Sequence, residues 1–97
     1  MLIKTALTLQ EYFNTHKTSK RMKSKYLGGT AFSSLYVRAG RNKLVFSNIE
    51  LPSELRGNGL FTDLLVLMDI LGIAYEVECP SDRLTAYCKK HGITYSI

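Results

Sequence analysis

The middle of the chain joins a strand pattern to a helix that is apolar on most sides. Residues 44–51, LVFSNIEL, have strand composition, and residues 60–71, LFTDLLVLMDIL, form a helical run whose solvent edge is marked by Asp63 and Asp69. Residues 73–78 again have strand composition. A strand, a helix and a strand in this order predict two parallel strands in one sheet, joined by a right-handed crossover.

Shorter signals place further elements on both sides of this unit. Thr8 and Glu11 have the spacing of a capping box, which predicts that a helix begins there. The turn AGRNK predicts an antiparallel hairpin between two strands. The predicted order is helix 8–16, strand 32–38, strand 44–51, helix 60–71, strand 73–78, helix 82–90 and strand 93–97. This order predicts an α/β fold, an α+β sandwich with a small mixed sheet flanked by helices.

The size and cysteine content favour a single intracellular domain. The 97 residues are 45% apolar, which suits one core, and no apolar run reaches the roughly 20 residues that cross a membrane. We therefore expect one domain over residues 1–97, in the cytoplasm. Cys79 and Cys88 lack zinc spacing and are interpreted as reduced thiols, while His16 and His91 are interpreted as surface residues. We expect no metal site.

The charge is unevenly distributed along the chain. The net charge is +5, and residues 1–43 carry nine basic residues against one acidic residue. Residues 17–25, KTSKRMKSK, hold five of the basic residues, which is typical of a solvated loop. Such a segment can meet an acidic protein, a nucleic acid or the phosphates of a cofactor.

Residues 55–60, LRGNGL, combine the features of a phosphate-binding turn. They follow a strand and open a helix, and Gly57 and Gly59 permit tight curvature and close approach of a ligand. The first N–H groups of a helix have no partner within the helix, and its dipole is positive there. Arg56 adds a charged donor fork. Glycines at this spacing also occur for packing reasons alone.

Two motifs in order give the chain a family resemblance. Residues 54–59, ELRGNG, are similar to the pyrophosphate motif Q/R-x-x-G-x-G/A of the GNAT acetyltransferase superfamily, with Glu54 at the first position. Residues 81–93, SDRLTAYCKKHGI, resemble the second motif of that family, with Ser81 at its asparagine and Cys88 at its tyrosine. The resemblance covers about residues 33–97, and residues 1–31 are a shortened, basic N-terminal region.

The resemblance implies an N-acetyltransferase that uses acetyl-coenzyme A and acts on an amine, including a lysine of a protein. Coenzyme A would rest its pyrophosphate on backbone N–H groups at the turn and its pantetheine arm between strands 44–51 and 73–78. The implied cofactor-binding residues are Ile49, Leu51, Arg56, Gly57, Asn58, Gly59, Leu60 and Ser81. A backbone N–H near Ile49–Leu51 would polarise the acetyl carbonyl.

Each of the two proton-transfer roles, the base and the acid, has more than one candidate residue. Glu50 is the first candidate for the base and Glu78 the second. Cys88 stands where the family has a proton-donating tyrosine, and it is either that acid or a small apolar residue packed in a helix. Tyr87 and Tyr95 are alternative donors. With so short an N-terminal region, the substrate or a second copy of the chain would complete the acceptor pocket, so a homodimer is one expected form.

Two other function classes compete with the enzyme. The first is a non-catalytic binding protein on the same fold that docks an acidic partner through residues 17–25. The second is nucleic-acid binding by the same segment, with Tyr26 and Tyr36 as stacking residues. The second is disfavoured, because lysine-rich loops are usually only solvated.

Overall fold

The computed structural model describes residues 2–27, 32–52, 59–78 and 82–96. The elements within these ranges are α1 (Leu2–His16), β1 (Lys23–Tyr26), β2 (Ser34–Gly40), β3 (Lys43–Glu50), α2 (Leu60–Ile70), β4 (Tyr75–Glu78), α3 (Asp82–His91) and β5 (Tyr95–Ser96). No helix in these ranges has the length and apolarity that a membrane span requires.

The five strands form one mixed sheet in the order β1-β2-β3-β4-β5. The first three strands are antiparallel, whereas β3 pairs with β4 and β4 with β5 in parallel. The predicted hairpin and the predicted parallel pair around α2 are therefore confirmed. The α/β class with a small mixed sheet and flanking helices is confirmed as well.

The helices pack on one face of the sheet. Leu9 of α1, Leu64 of α2 and Cys88 of α3 are fully buried in one cluster with Leu44 and Phe46 of β3. Burial of this apolar surface is the main stabilising term of the fold. The opposite face of the sheet is covered by none of the helices in the described part of the chain, and we call it the open face.

The first helix is longer than its capping signal predicts. It begins at Leu2, so the expectation that a helix starts at Thr8 is wrong. The reason is that Thr5, Ala6, Leu9 and Phe13 share one buried face, and the pattern of side-chain burial extends before Thr8. Thr8 instead donates its hydroxyl hydrogen bond to the carbonyl of residue 4, as mid-helix threonines do.

The basic segment is only partly a loop. Residues 17–22 connect α1 to the sheet, but Lys23–Tyr26 forms an edge strand antiparallel to β2, so the expectation of a loop through residue 25 is wrong there. All four side chains of β1 are exposed, and thus the strand has no alternation of buried and exposed positions that a sequence pattern could reveal. Lysine on an edge strand also protects it from pairing with other chains.

Candidate functional site

A β-bulge interrupts the pairing of β2 with β3. Tyr36 pairs with Asn48 and Val37 pairs with Phe46, which leaves Ser47 as the extra residue of β3. The Ser47 hydroxyl donates a hydrogen bond to the carbonyl oxygen of Tyr36 at 3.3 Å. A bulge bends its strand and shifts the alternation of side chains by one. As a result, Phe46 faces the helices while Asn48 lies on the open face.

The bulge lies where β3 runs past its ladder with β4. The register of the parallel pair ends at Phe46–Val77 within the described residues, while β3 continues to Glu50. Residues 47–50 of β3 therefore extend beyond the described β3–β4 ladder, on the edge of β3 that is opposite to β2. Because a bulge increases the local bend and twist, the axis of the carboxyl-terminal half of β3 is bent relative to the axis of its first half.

The helix that follows this strand begins at a glycine. Gly59 is the N-cap of α2 with φ 69°, a left-handed conformation that favours glycine. Its carbonyl accepts a hydrogen bond from the N–H of Asp63 at 2.9 Å. Among the described residues other than its chain neighbours, none has an atom within 4 Å of the position that a Cβ on Gly59 would occupy.

The predicted cofactor residues within the described ranges lie at the end of β3 and at the start of α2. Ile49 and Leu51 lie at the end of β3, and Leu60 lies in the first turn of α2; all three are half-buried against the core. Gly59 is exposed beside Leu60. The predictions on Arg56, Gly57, Asn58 and Ser81 lie outside the described residues, as does Glu54.

The two candidate bases have different surroundings. Glu50 is exposed, ends β3 and pairs with Ser34. Glu78 forms an ion pair with the guanidinium of Arg38 across the open face. This contact engages the carboxylate of Glu78, whereas that of Glu50 is exposed to solvent, so accessibility favours Glu50.

The two candidate donors on α3 also differ. Cys88 is fully buried in the core, which is the environment that the packing interpretation describes. Tyr87 is half-buried, and its hydroxyl hydrogen bonds to the hydroxyl of Thr62 in the first turn of α2. The ring of Tyr87 packs between Phe61, at 6.1 Å, and His91, at 4.4 Å between centroids. The Tyr87 hydroxyl thus lies beside the start of α2, close in the fold to Gly59.

Charged side chains shield the open face around Val45. Val45 is 6% exposed although it points away from the helices. The Arg38–Glu78 pair lies across it, and Lys43 donates to Glu76 at 2.7 Å. This hydrogen bond from Lys43 is the largest cause that lowers the pKa of the Glu76 carboxyl, outweighing the opposite effect of burial.

Loop 17–22, which carries part of the basic segment, lies at the end of β3 opposite to the end that α2 follows. The N–H of Arg41, in the β2–β3 turn, donates to the carbonyl of Ser19 at 3.0 Å, and the N–H of Asn42 donates to the carbonyl of Lys17 at 2.6 Å. The guanidinium Nε of Arg41 donates to the carbonyl of Lys20 at 3.3 Å. Loop 17–22 is therefore fixed to the hairpin turn, where β3 begins, whereas α2 follows the end of β3. The two ends of β3 thus separate loop 17–22 from Gly59 and the start of α2.

The bulge and the role of Arg41 were not identified from the sequence. A signal for the bulge exists: Leu44 and Phe46 are two residues apart, but the next apolar residue, Ile49, follows at a spacing of three. For Arg41 there is no comparable signal, because only the turn geometry brings it to the loop. Among the described residues, no group of three or more His, Cys, Asp or Glu side chains is arranged to hold a metal ion.

Comparison of the chain with protein-family models, with curated proteins and with solved structures finds no match.

Proposed function

We propose that this chain is a minimal N-acetyltransferase that uses acetyl-coenzyme A. The observation that carries the proposal is the arrangement around β3: a bulge at Ser47, a strand that continues past the described part of its parallel ladder, and a helix opened by the left-handed Gly59. Together they would provide backbone groups for an extended ligand arm and a helix N-terminus for its phosphates.

The start of α2 suits a pyrophosphate in its backbone chemistry. Glycine at the N-cap offers no side chain that could occupy the first N–H groups of the helix, and described residues beyond its chain neighbours leave the position of its Cβ clear. Leu60 contributes the next N–H. Asp63 lies in the first turn but is exposed, and its carboxylate is therefore screened by solvent. The family resemblance implies that Arg56, Gly57 and Asn58 complete this pyrophosphate-binding site.

The end of β3 is assigned to the reacting end of the cofactor. Acetyl-coenzyme A supplies the acetyl group as an activated thioester. A backbone N–H at Ile49–Leu51 polarises its carbonyl, and the acceptor nitrogen attacks the carbonyl carbon. The carbon–sulfur bond breaks, the proton of the amine passes to the Glu50 carboxylate, and the leaving thiolate takes a proton from a donor on α3.

Tyr87 is the donor that the geometry supports best. Its hydroxyl reaches the first turn of α2 through Thr62, whereas the thiol of Cys88 is fully buried in the core. A proton donor must come within hydrogen-bond distance of the leaving sulfur. The half-buried phenol can do so without unpacking the core, and Cys88 is then a packing residue.

Binding of the cofactor is tested by calorimetry on a matched pair of glycine variants. Gly59 and Gly72 flank the same helix with φ 69° and 72°, and in the described part of the chain no atom beyond their chain neighbours lies within 4 Å of either would-be Cβ. The variants Gly59→Ala and Gly72→Ala should therefore lose similar stability. We expect the wild type and Gly72→Ala to bind acetyl-coenzyme A and Gly59→Ala to bind at least about tenfold more weakly, since a methyl group would enter the pyrophosphate-binding site. Absence of binding by the wild type at millimolar ligand would overturn the proposal.

A second candidate function is docking of an acidic protein on the basic loop. The fixed contact of loop 17–22 with the hairpin turn favours it, because hydrogen bonds to loop carbonyls hold the backbone that carries Lys17, Lys20 and Arg21 beside Arg41. We name these four residues the basic end. Preorganised charges bind with less loss of conformational entropy than a flexible loop.

Poly-L-glutamate is a defined probe for the basic end. The double change Lys20→Glu with Arg21→Glu should abolish its binding at low salt. The matched control is Lys89→Glu with Lys90→Glu, which makes the same change of charge at two exposed positions of α3 and should retain most of the binding. Equal losses in both variants would show that only net charge matters and would contradict this function. Preference for a DNA duplex over poly-L-glutamate would contradict it as well.

A further inference from the structure

Two exposed tyrosines form a pair on the open face. Tyr26 of β1 and Tyr36 of β2 are register partners, their ring centroids are 4.6 Å apart, and they are 51% and 42% exposed. The Tyr26 hydroxyl donates to the carbonyl of Ser33 at 3.2 Å, which fixes the orientation of its ring. The pair therefore presents a large, partly fixed aromatic surface to solvent.

The cations near this pair are directed away or neutralised. Lys25 precedes Tyr26 in β1 and so points to the opposite face, where its ammonium lies 5.5 Å from the ring centroid of Tyr12. Arg38, two residues after Tyr36, is engaged by Glu78. In a chain of net charge +5, the described residues of this part of the surface thus repel a cationic ligand less than the basic end does.

A carboxylate lies on the same face as the pair. Asn48 pairs with Tyr36, and Glu50 lies two residues further along β3, so both side chains project to the open face. Glu50 is a diagonal neighbour of Tyr36, at a spacing that long side chains bridge. Aromatic faces beside a carboxylate are the surroundings that recognise an ammonium group.

The pair is also next to the segment that would hold the thioester. Its neighbours Asn48 and Glu50 belong to residues 47–50, which run past the ladder with β4. On the helix side, Phe46 and Phe61 fill the space, with ring centroids 5.8 Å apart. Among the described residues, the helix side of β3 is thus occupied by aromatic rings, which favours approach of an acceptor from the open face, where the tyrosines lie.

We infer that Tyr26, Tyr36 and Glu50 form the acceptor site and that the acceptor is a primary ammonium group on a flexible alkyl chain, as in a lysine side chain. This inference rests on the proposed function and names its substrate class. The aromatic faces hold the protonated amine, and its first proton passes through the exposed Glu50 carboxylate to solvent. The neutral nitrogen then attacks the thioester, and Glu50, ionised again, takes the second proton as the amide forms.

The site is tested without the cofactor, so that its failure is distinct from failure of the acetyltransferase proposal. The tyrosine ring signals of the protein are followed by NMR during titration with the peptide acetyl-Ala-Lys-Ala-amide at millimolar concentration. The matched peptide contains norleucine, which keeps the alkyl chain and lacks the ammonium. We expect the lysine peptide to shift the signals of Tyr26 and Tyr36 and to leave Tyr12, on the helix side, unchanged.

Two substitutions of Tyr36 distinguish the contribution of its aromatic ring to binding from that of its hydroxyl group. Tyr36→Phe retains the aromatic face and should bind the lysine peptide as the wild type does, whereas Tyr36→Leu should bind about two- to fivefold more weakly. Equal shifts by the norleucine peptide, equal affinities of the Phe and Leu variants, or preferential binding of a single-stranded oligonucleotide would each overturn the inference. Lysine-peptide binding by a protein that does not bind acetyl-coenzyme A would uphold the site and reject the enzyme.

Discussion

Gly40 and Ser19 are in close backbone contact, and this contact fixes the basic loop to the sheet. A Cβ on Gly40 would lie 3.1 Å from the carbonyl oxygen of Ser19 and 3.2 Å from that of Arg21. The same stretch of loop accepts the backbone hydrogen bond from Arg41. Close approach of two backbones is a use of glycine that other residues cannot replace. The shape of the basic end therefore depends on a residue that carries no charge.

Substitution of Gly40 should release the loop. Gly40 has φ 157°, and Gly40→Ala would add both backbone strain and clashes with backbone atoms, for a loss of about 2–3 kcal/mol in the free energy of unfolding. Gly92→Ala is the control, since it has φ 66° but no atom within 4 Å of the new methyl group, and should lose only about 1 kcal/mol. Urea denaturation measures both. Equal losses would show that the loop contact contributes nothing.

The Lys43–Glu76 pair should make stability depend on pH. Folding lowers the pKa of Glu76 below its ordinary value of 4.5, so the pair stabilises the fold fully above that pH, and the contribution is lost as the pH falls through the lower folded value. Because the side chains are 39% and 21% exposed, the contribution is about 0.5–1 kcal/mol. The difference in unfolding free energy between wild type and Glu76→Gln should thus be constant near neutrality and shrink in acid.

Lys43→Met is the second arm of that experiment. It removes the donor and should abolish most of the same acid-dependent difference, while the double variant should show little further change. A difference between wild type and Glu76→Gln that grows in acid would contradict the assigned direction of the pKa shift.

The parts of the fold that depend on burial were predictable from the sequence. The apolar run of α2 ends within one residue of its predicted boundary, and Gly72 adopts φ 72° just after it. The parallel pairing of β3 and β4 follows from the order of strand, helix and strand. The edge strand β1 was not predictable, because its exposed side chains leave no periodic pattern.

The candidate site was predictable only in outline. A glycine opening a helix is visible in the sequence at Gly59, and in the structure this residue is the N-cap and adopts a left-handed conformation. Whether Cys88 or Tyr87 points to the start of that helix depends on the rotation of α3, which adjacent residues in a sequence cannot specify. The pairing of Tyr26 with Tyr36 depends on the register of β1, a strand that had no sequence signal.

Tyr87 and Cys88 should respond differently to removal of their functional groups. Tyr87→Phe removes the hydroxyl next to Thr62 and should lower kcat for acetyl transfer to a lysine peptide by about 100-fold, with little change in coenzyme A affinity. Cys88→Ala should keep kcat within about threefold and lose about 1–2 kcal/mol of stability, because it leaves a small cavity in the core. Loss of activity in a folded Cys88→Ala protein would instead assign the proton to the thiol.

Deletion of Ser47 tests the bulge itself. Without Ser47, Phe46 and Asn48 become adjacent in the chain. The β2–β3 ladder then becomes regular, and Asn48 still pairs with Tyr36. We expect a folded protein with an unfolding free energy within about 1 kcal/mol of the wild type, since no core side chain is removed. Affinity for acetyl-coenzyme A should fall at least about tenfold, because the end of β3 would no longer bend at its exit from the parallel ladder. Calorimetry and urea denaturation of the same sample measure both quantities. A stable deletion variant that binds the cofactor as tightly as the wild type would show that the bulge has no part in the site.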